Sequence, residues 1–166
     1  MKVLIVGGVA GGATAAARIR RLDESAQITV YERSGFISYA NCGLPYYIGD
    51  VITDPDDLTL QTPESFMSRF RLDMKVNHEV TGIDTEHKSI KVRDLDTGRE
   101  FDDTYDKLIL SPGARPVTPD LEGISNERIF TLRTVEDTYR IKEYIRASRP
   151  ESAVLAGGGF IGLELA

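Results

Sequence analysis

An apolar run, Lys2–Val6 (KVLIV), passes directly into Gly7-Gly8-Val9-Ala10-Gly11-Gly12 and then into an alanine-rich stretch that ends at Leu22. Few features restrict a chain more. A short apolar run bounded by glycines reads as a buried parallel strand. The alanines and arginines of residues 11–22 form helix readily, and Asp23-Glu24-Ser25 ends it. Residues 27–32 (QITVYE) return to β-branched and aromatic types. Strand, turn, helix and strand within about 30 residues make a crossover unit, which demands parallel strands. Near the other end, Gly157-Gly158-Gly159-Phe160-Ile161-Gly162 follows Val154-Leu155-Ala156 in the same way. The first turn carries Val9 where the pattern G-x-G-x-x-G has its middle glycine; the second is complete at Gly157, Gly159 and Gly162.

The segments between follow other rules. Residues 34–47 carry Gly, Asn, Pro and the lone cysteine and read as a loop entering a short helix; Pro55-Asp56-Asp57 reads as another loop. Thr62-Pro63-Glu64 predicts a helix start, with Thr as N-cap and Pro in the first position. From Lys75 to Phe101 short strands are expected. Residues 88–94 alternate, Asp96-Thr97-Gly98 turns, and residues 99–101 return, which predicts a small antiparallel insert beside the parallel sheet. Residues 108–110 read as a buried strand ended by Ser111-Pro112-Gly113, residues 134–147 as a helix, and residues 154–156 as a further strand. There is no internal repeat of solenoid length.

Composition excludes several classes. The 166 residues are 41% apolar and 28% charged, enough to build a core. No apolar run reaches the roughly 20 residues that span a bilayer, and the start lacks a signal-peptide cleavage pattern. The net charge of −6 disfavours nucleic acid as a partner, because phosphate binding needs a basic footprint. One cysteine forms no internal disulfide, which suits a reducing, cytoplasmic setting.

The first glycine turn points to a dinucleotide. Gly7 allows the bend, Gly12 allows helix and strand to pack closely, and the helix N-terminus offers free N–H groups to a pyrophosphate. Glu32 ends the second strand about 20 residues beyond Gly12, where a carboxylate reaches ribose hydroxyls. A plain tight turn in another α/β fold is the competing reading, and Glu32 decides against it. Thr14, Arg18 and Arg21 share one helix face. They form either a solvated basic stripe or an anion site. Cys42 is either a small core residue or, in its Asn41-Cys42-Gly43-Leu44-Pro45 setting ahead of a helix, a nucleophilic thiol. His78 and His87 lack metal-ligand spacing with Cys42 and read as structural, so no metal site is expected.

Taken together, VGGVAGGATAAARIRRL, SYANCGLPYYIGDVI, YDKLILSPGARP and VLAGGGFIGLELA resemble the N-terminal part of the flavin-dependent pyridine nucleotide-disulfide oxidoreductases, in their coenzyme A-disulfide reductase branch. The resemblance implies an α/β, Rossmann-like FAD-binding domain with a parallel sheet and a small antiparallel insert, cut at the start of a second, NAD(P)H-binding domain. The divisions expected are 1–115 for the FAD segment, 116–150 for a linker and connecting helix, and 151–166 for the second domain. FAD contacts are implied for Gly7, Val9, Ala10, Gly12, Glu32, Arg33, Asn41 and Val80. They are also implied for Ser111, Pro112 and Gly113, where the family usually has Ala-Thr-Gly. Gly157, Gly159 and Gly162 are implied to hold NAD(P)H.

Coenzyme A contacts are implied for Thr14, Arg18, Arg21, Ser38 and Asn41. Phe70 stands where this branch can carry a basic contact, which leaves Arg71 as the candidate there. Cys42 is implied to be the redox thiol, alternating between thiolate and a mixed disulfide with coenzyme A while NAD(P)H supplies electrons through the flavin. A neighbouring branch of oxidases and peroxidases cycles a cysteine sulfenic acid but typically has His at the position of Ala10. A non-enzymatic flavin-binding module is the third reading. The resemblance further implies a homodimeric parent and no membrane partner. It also implies that residues 1–166 alone bind FAD weakly, lack turnover and expose apolar faces.

Overall fold

The computed structural model describes residues 1–166. Five helices and seven strands follow the chain order β1 (Lys2–Val6), α1 (Ala10–Leu22), β2 (Gln27–Tyr31), α2 (Leu44–Ile48), α3 (Pro63–Phe70), β3 (Asp73–Lys75), β4 (His78–Asp84), β5 (Ser89–Asp94), β6 (Glu100–Thr104), β7 (Lys107–Leu110), α4 (Val135–Ser148) and α5 (Phe160–Leu165). Contacts divide them into two compact units: Met1–Tyr39 with Gln61–Gly113, and Ala40–Leu60 with Ala114–Ala166.

The first unit is built on a parallel sheet of order β3-β2-β1-β7. β1 lies between β2 and β7, with Leu4 opposite both Thr29 and Leu108. Its apolar run is continuous because both faces are covered. Val3 and Ile5 pack with Ala13, Ala16, Ile28, Val30 and Phe66 on one side. Leu4 packs with Tyr31, Ile90 and Val92 on the other. Each of these large side chains stabilises the fold by about 1.5–3 kcal/mol on leaving water. The expected antiparallel insert is present as β4-β5-β6, with a register shift between Val80 and Gly82. Thr62 caps α3 as expected, and Ser65 returns the bond to the Thr62 N–H.

Three expectations need correction, and one strand is unexpected. β3 begins before the stretch from Lys75 to Phe101 where strands are expected, and it pairs with β2 in the parallel sheet. Three residues of mixed polarity carry too little pattern to reveal that partner. Residues 107–110 form a strand, but an edge strand, so Leu110 is 56% exposed instead of buried. Pro55–Leu58 is a 3-10 turn in which the Asp54 side chain accepts from the Asp56 N–H. Residues 154–156 form no strand. Val154 is 93% exposed, and an extended segment with no neighbouring ladder leaves its backbone groups to water.

In the second unit, α4 begins at Thr134, whose hydroxyl accepts from the Asp137 N–H while Asp137 accepts from the Thr134 N–H. Val135, Thr138 and Lys142 recur at i, i+3 and i+7 and are its buried residues. No helix is long and apolar enough to cross a membrane.

Candidate functional site: the first glycine turn and the cysteine turn

The C-terminal ends of β1, β2 and β7 converge on the first glycine turn, where a parallel sheet opens its ligand crevice. Gly7 adopts φ +96°, and its N–H donates to the Tyr31 carbonyl at 2.8 Å. A Cβ on Gly7 would overlap the Ser111 carbonyl, and one on Gly12 would overlap the Gly7 carbonyl. Strand end, helix start and the segment after β7 therefore approach to backbone contact. The Gly8 N–H donates to Glu32 Oε2 at 2.7 Å, and Ser34 N–H donates to Oε1 at 2.9 Å. The Ser38 N–H donates to the Gly8 carbonyl at 3.1 Å, and the Ser111 N–H to the Val6 carbonyl at 2.7 Å. Gly7, Gly8, Val9, Ala10, Gly12, Glu32, Ser38 and Ser111 are thus brought to one place by three strand ends.

Helix starts separate into two kinds. α3 and α4 each carry a threonine N-cap and an acidic residue in the first turn. α1, with 13 residues, has no side-chain cap and no acid in its first turn. Its first N–H groups, together with the positive end of the helix dipole, are left for an anion. The glycines keep that end clear of side chains. These features form a cradle that fits a pyrophosphate beside a carboxylate fitted to ribose.

The first unit also carries candidates outside this turn. Thr14, Arg18 and Arg21 are exposed on α1. Arg33 is exposed, 3.8 Å from Glu79. Val80 is half-buried on β4, against the cluster of Leu4 and Tyr31. Arg71 ends α3 at φ +51° and donates to the Glu24 carbonyl at 3.3 Å. Pro112 and Gly113 are exposed beyond β7.

Arg20 was not singled out by sequence. It is 9% exposed and donates to four carbonyls, of Phe70, Arg71, Asp23 and Glu24. It ties the end of α1 to the end of α3. In the run Arg18-Ile19-Arg20-Arg21 nothing marks it, because its role depends on carbonyls about 50 residues away in the chain.

The cysteine turn belongs to the second unit. Asn41-Cys42-Gly43 form a 3-10 turn that continues into α2, with Pro45 in the helix's first turn. Cys42 is exposed, which removes the core reading. Asn41 Oδ1 is buried and accepts no hydrogen bond. An acceptor left in that state costs free energy until a donor reaches it. The turn is held by Ala40 N–H to the Leu58 carbonyl at 2.9 Å and by Gly43 N–H to the Ala40 carbonyl at 2.9 Å.

A surface cleft of about 570 Å³ in this unit is lined by Tyr47, Tyr139, Lys142, Glu143, Arg146 and Ala147, and no residue of either glycine turn reaches it. At its edge Lys142 hydrogen-bonds Asp50 and holds that carboxyl below the usual aspartate range. Burial raises the Tyr139 hydroxyl above its ordinary range. Gly157, Gly159 and Gly162 shape the start of α5, which is also without a side-chain cap. His78 Nδ1–H donates to the Val76 carbonyl at 2.6 Å, and the ring packs with Tyr31 and Phe101. His87 pairs with Asp84. No group of acids, histidines and cysteine is arranged to hold a metal.

Known proteins repeat this arrangement. Coenzyme A disulfide reductase of Staphylococcus aureus (strain bovine RF122 / ET3-1) is 41% identical over 164 residues, covering 99% of this chain and 37% of the relative. The crystal structure of the reduced CoADR-RHD of Bacillus anthracis superposes with a TM-score of 0.96 at 51% identity, over 99% of this chain and 30% of that one. A NAD-dependent persulfide reductase from A. fulgidus gives 0.94 at 39% identity, over 100% and 31%. The chain therefore spans about a third of the proteins it matches. The family model described as pyridine nucleotide-disulphide oxidoreductase matches residues 1–166. With the glycine crevice, Glu32 and an exposed Cys42 already in place, this match over the whole sequence means that the chain belongs to the pyridine nucleotide-disulphide oxidoreductase family.

Proposed function

We propose that the protein is an FAD-dependent NAD(P)H oxidoreductase that reduces coenzyme A disulfide, or a coenzyme A persulfide, through Cys42. The observation that carries this reading is an exposed single thiol in a chain whose uncapped α1 start faces Glu32 and Ser111. FAD fits the first turn. The α1 N–H groups take the pyrophosphate, Glu32 takes the ribose, and Val9, Ala10, Arg33, Asn41, Val80 and residues 111–113 complete the contacts. Bound there, FAD supplies a two-electron relay between nicotinamide and sulfur. Gly157, Gly159 and Gly162 serve NAD(P)H.

Thr14, Arg18, Arg21 and Arg71 offer donors to the phosphates of coenzyme A, and Ser38 and Asn41 offer further polar contacts. The Cys42 thiolate attacks one sulfur of the substrate disulfide, forms a mixed disulfide and releases one coenzyme A thiolate. Two electrons from NAD(P)H then cleave that mixed disulfide, returning the Cys42 thiolate and the second coenzyme A, which takes up a proton. One protein cysteine suffices because the substrate brings the other sulfur. Ala10 stands where the oxidase branch carries its histidine, which supports disulfide over oxygen as acceptor. The expected homodimer and a reducing cytoplasmic setting are part of the proposal.

The test uses the protein expressed from its whole reading frame. Turnover with NADH or NADPH is expected to be fastest with coenzyme A disulfide or persulfide, and Cys42→Ser to lower it at least a hundredfold while flavin stays bound. Faster turnover with oxygen, or full activity in Cys42→Ser, overturns the reading. Sedimentation of the same protein as a monomer removes the homodimer.

A further inference from the structure

A buried ammonium is costly unless charged and polar partners replace its water. Lys142 is 4% exposed. Its Nζ lies 2.8 Å from Asp50 Oδ1, donates to the Tyr47 carbonyl, and sits 3.8 Å over the centroid of the Tyr47 ring. All three partners belong to one place, the C-terminal end of α2. Tyr47 lies in the last turn of that helix and Asp50 two residues beyond it. A cation there also meets the negative end of the helix dipole, and it shares the Tyr47 carbonyl with the Asp50 N–H, 3.3 Å away.

α2 has five residues, too few to persist without tertiary support. Its other end is continuous with the cysteine turn, since the Leu44 N–H donates to the Asn41 carbonyl. Cys42 and Tyr47 therefore ride on one short helical run. Asp50 adopts φ +58°, a left-handed conformation that aspartate tolerates better than most residues. That backbone turn keeps its carboxylate toward Lys142. The other groups facing Lys142 are Tyr139, whose ring packs edge-on to Tyr47 at 5.7 Å, and Arg146, 4.0 Å from Asp50.

We infer that Lys142 is a positioning residue for the redox thiol: by tethering the C-terminal end of α2 through Asp50 and the Tyr47 carbonyl, it fixes the turn that presents Cys42. The inference rests on the proposed role of Cys42. In this role Lys142 acts only through α2.

The flavin-loaded protein with Lys142→Met tests it. Disulfide turnover is expected to fall at least fivefold, anaerobic reduction of the flavin by NAD(P)H to stay within twofold, and amide exchange of residues 43–52 to rise at least tenfold with β1 unchanged. Lys142→Arg, which keeps charge and donors, should restore turnover to within threefold of the parent. Should Lys142→Met fail to fold, the exposed Asp50→Asn gives the same pattern, with a threefold loss of disulfide turnover as its threshold. Smaller losses, an equal fall in flavin reduction, or exchange that rises throughout the chain overturn the inference. Cys42→Ser with disulfide turnover intact overturns the thiol's role instead, and the exchange data still report separately whether the tether holds α2.

Discussion

The two glycine turns share a backbone device and differ in everything around it. Gly7 and Gly157 both take positive φ, and a Cβ on Gly12 or Gly162 would overlap the carbonyl of Gly7 or Gly157. Both helices that follow lack a side-chain cap. The first turn is nevertheless walled in. Glu32 accepts from Gly8, Ser111 presses on Gly7, and Ile37 would stand 2.9 Å from a Cβ on Gly8. At the second, a Cβ on Gly157, Gly158 or Gly159 would meet nothing within 4 Å. The preceding residues form no strand, and Phe160 is 87% exposed. Local glycine spacing thus makes the turn, whereas a crevice needs neighbouring strand ends.

The largest expected effect breaks the first turn. Gly12→Ala places a methyl against backbone that has no room to yield, a strain on the order of 3 kcal/mol, and the protein should be recovered with less than a tenth of its flavin. Gly162→Ala, the matched change, should leave flavin content within a fifth of the parent and raise the KM for NAD(P)H at least tenfold. Equal flavin contents in the two variants would remove the distinction drawn between the turns.

Next in size is the wall itself. Glu32→Ala deprives the Gly8 and Ser34 N–H groups of their acceptor, at about 1–3 kcal/mol for each donor left unsatisfied. A lower thermal midpoint and a flavin dissociation constant raised at least tenfold are expected. Unchanged flavin affinity, measured by fluorescence quenching, would show that this carboxylate does not hold the ribose.

The smallest effect concerns the support behind the wall. Tyr31 is 4% exposed and donates to Asp103 Oδ2 at 2.7 Å, and Lys2 pairs with the same carboxylate. Burial, and then the Asp103 carboxylate, raise the phenol above the usual tyrosine range. The folded state therefore holds the proton more tightly than the unfolded state. Stability from this group is complete below about pH 10 and is lost as pH rises beyond it. Tyr31→Phe should cost about 1.5–3 kcal/mol at neutral pH and flatten the alkaline slope in denaturant melts. A slope unchanged in the variant would assign it to another group.

Much of the first unit was legible in the sequence because its signals are local. Lys2–Val6, the run from Gly7 to Leu22 and the strand ending at Glu32 announce a crossover by composition alone. Thr62 and Thr134 mark helix starts through their own side chains, and Asp96-Thr97-Gly98 marks the hairpin. β3 was hidden, since pairing with β2 rather than with the insert is a choice between distant partners. Lys142 left one trace, a charged residue at the core-facing period set by Val135 and Thr138.

The sequence by itself determined where the chain bends, which segments become helix, and that one cysteine precedes a short helix. Tertiary structure alone decided which strand ends wall the first turn, that Arg20 reaches the distant carbonyls of Phe70 and Arg71, and that Lys142 closes on α2. The physical reason is range. Backbone conformation answers to a few neighbouring residues, whereas the partner of a buried charge is fixed only when packing brings remote segments within hydrogen-bond distance.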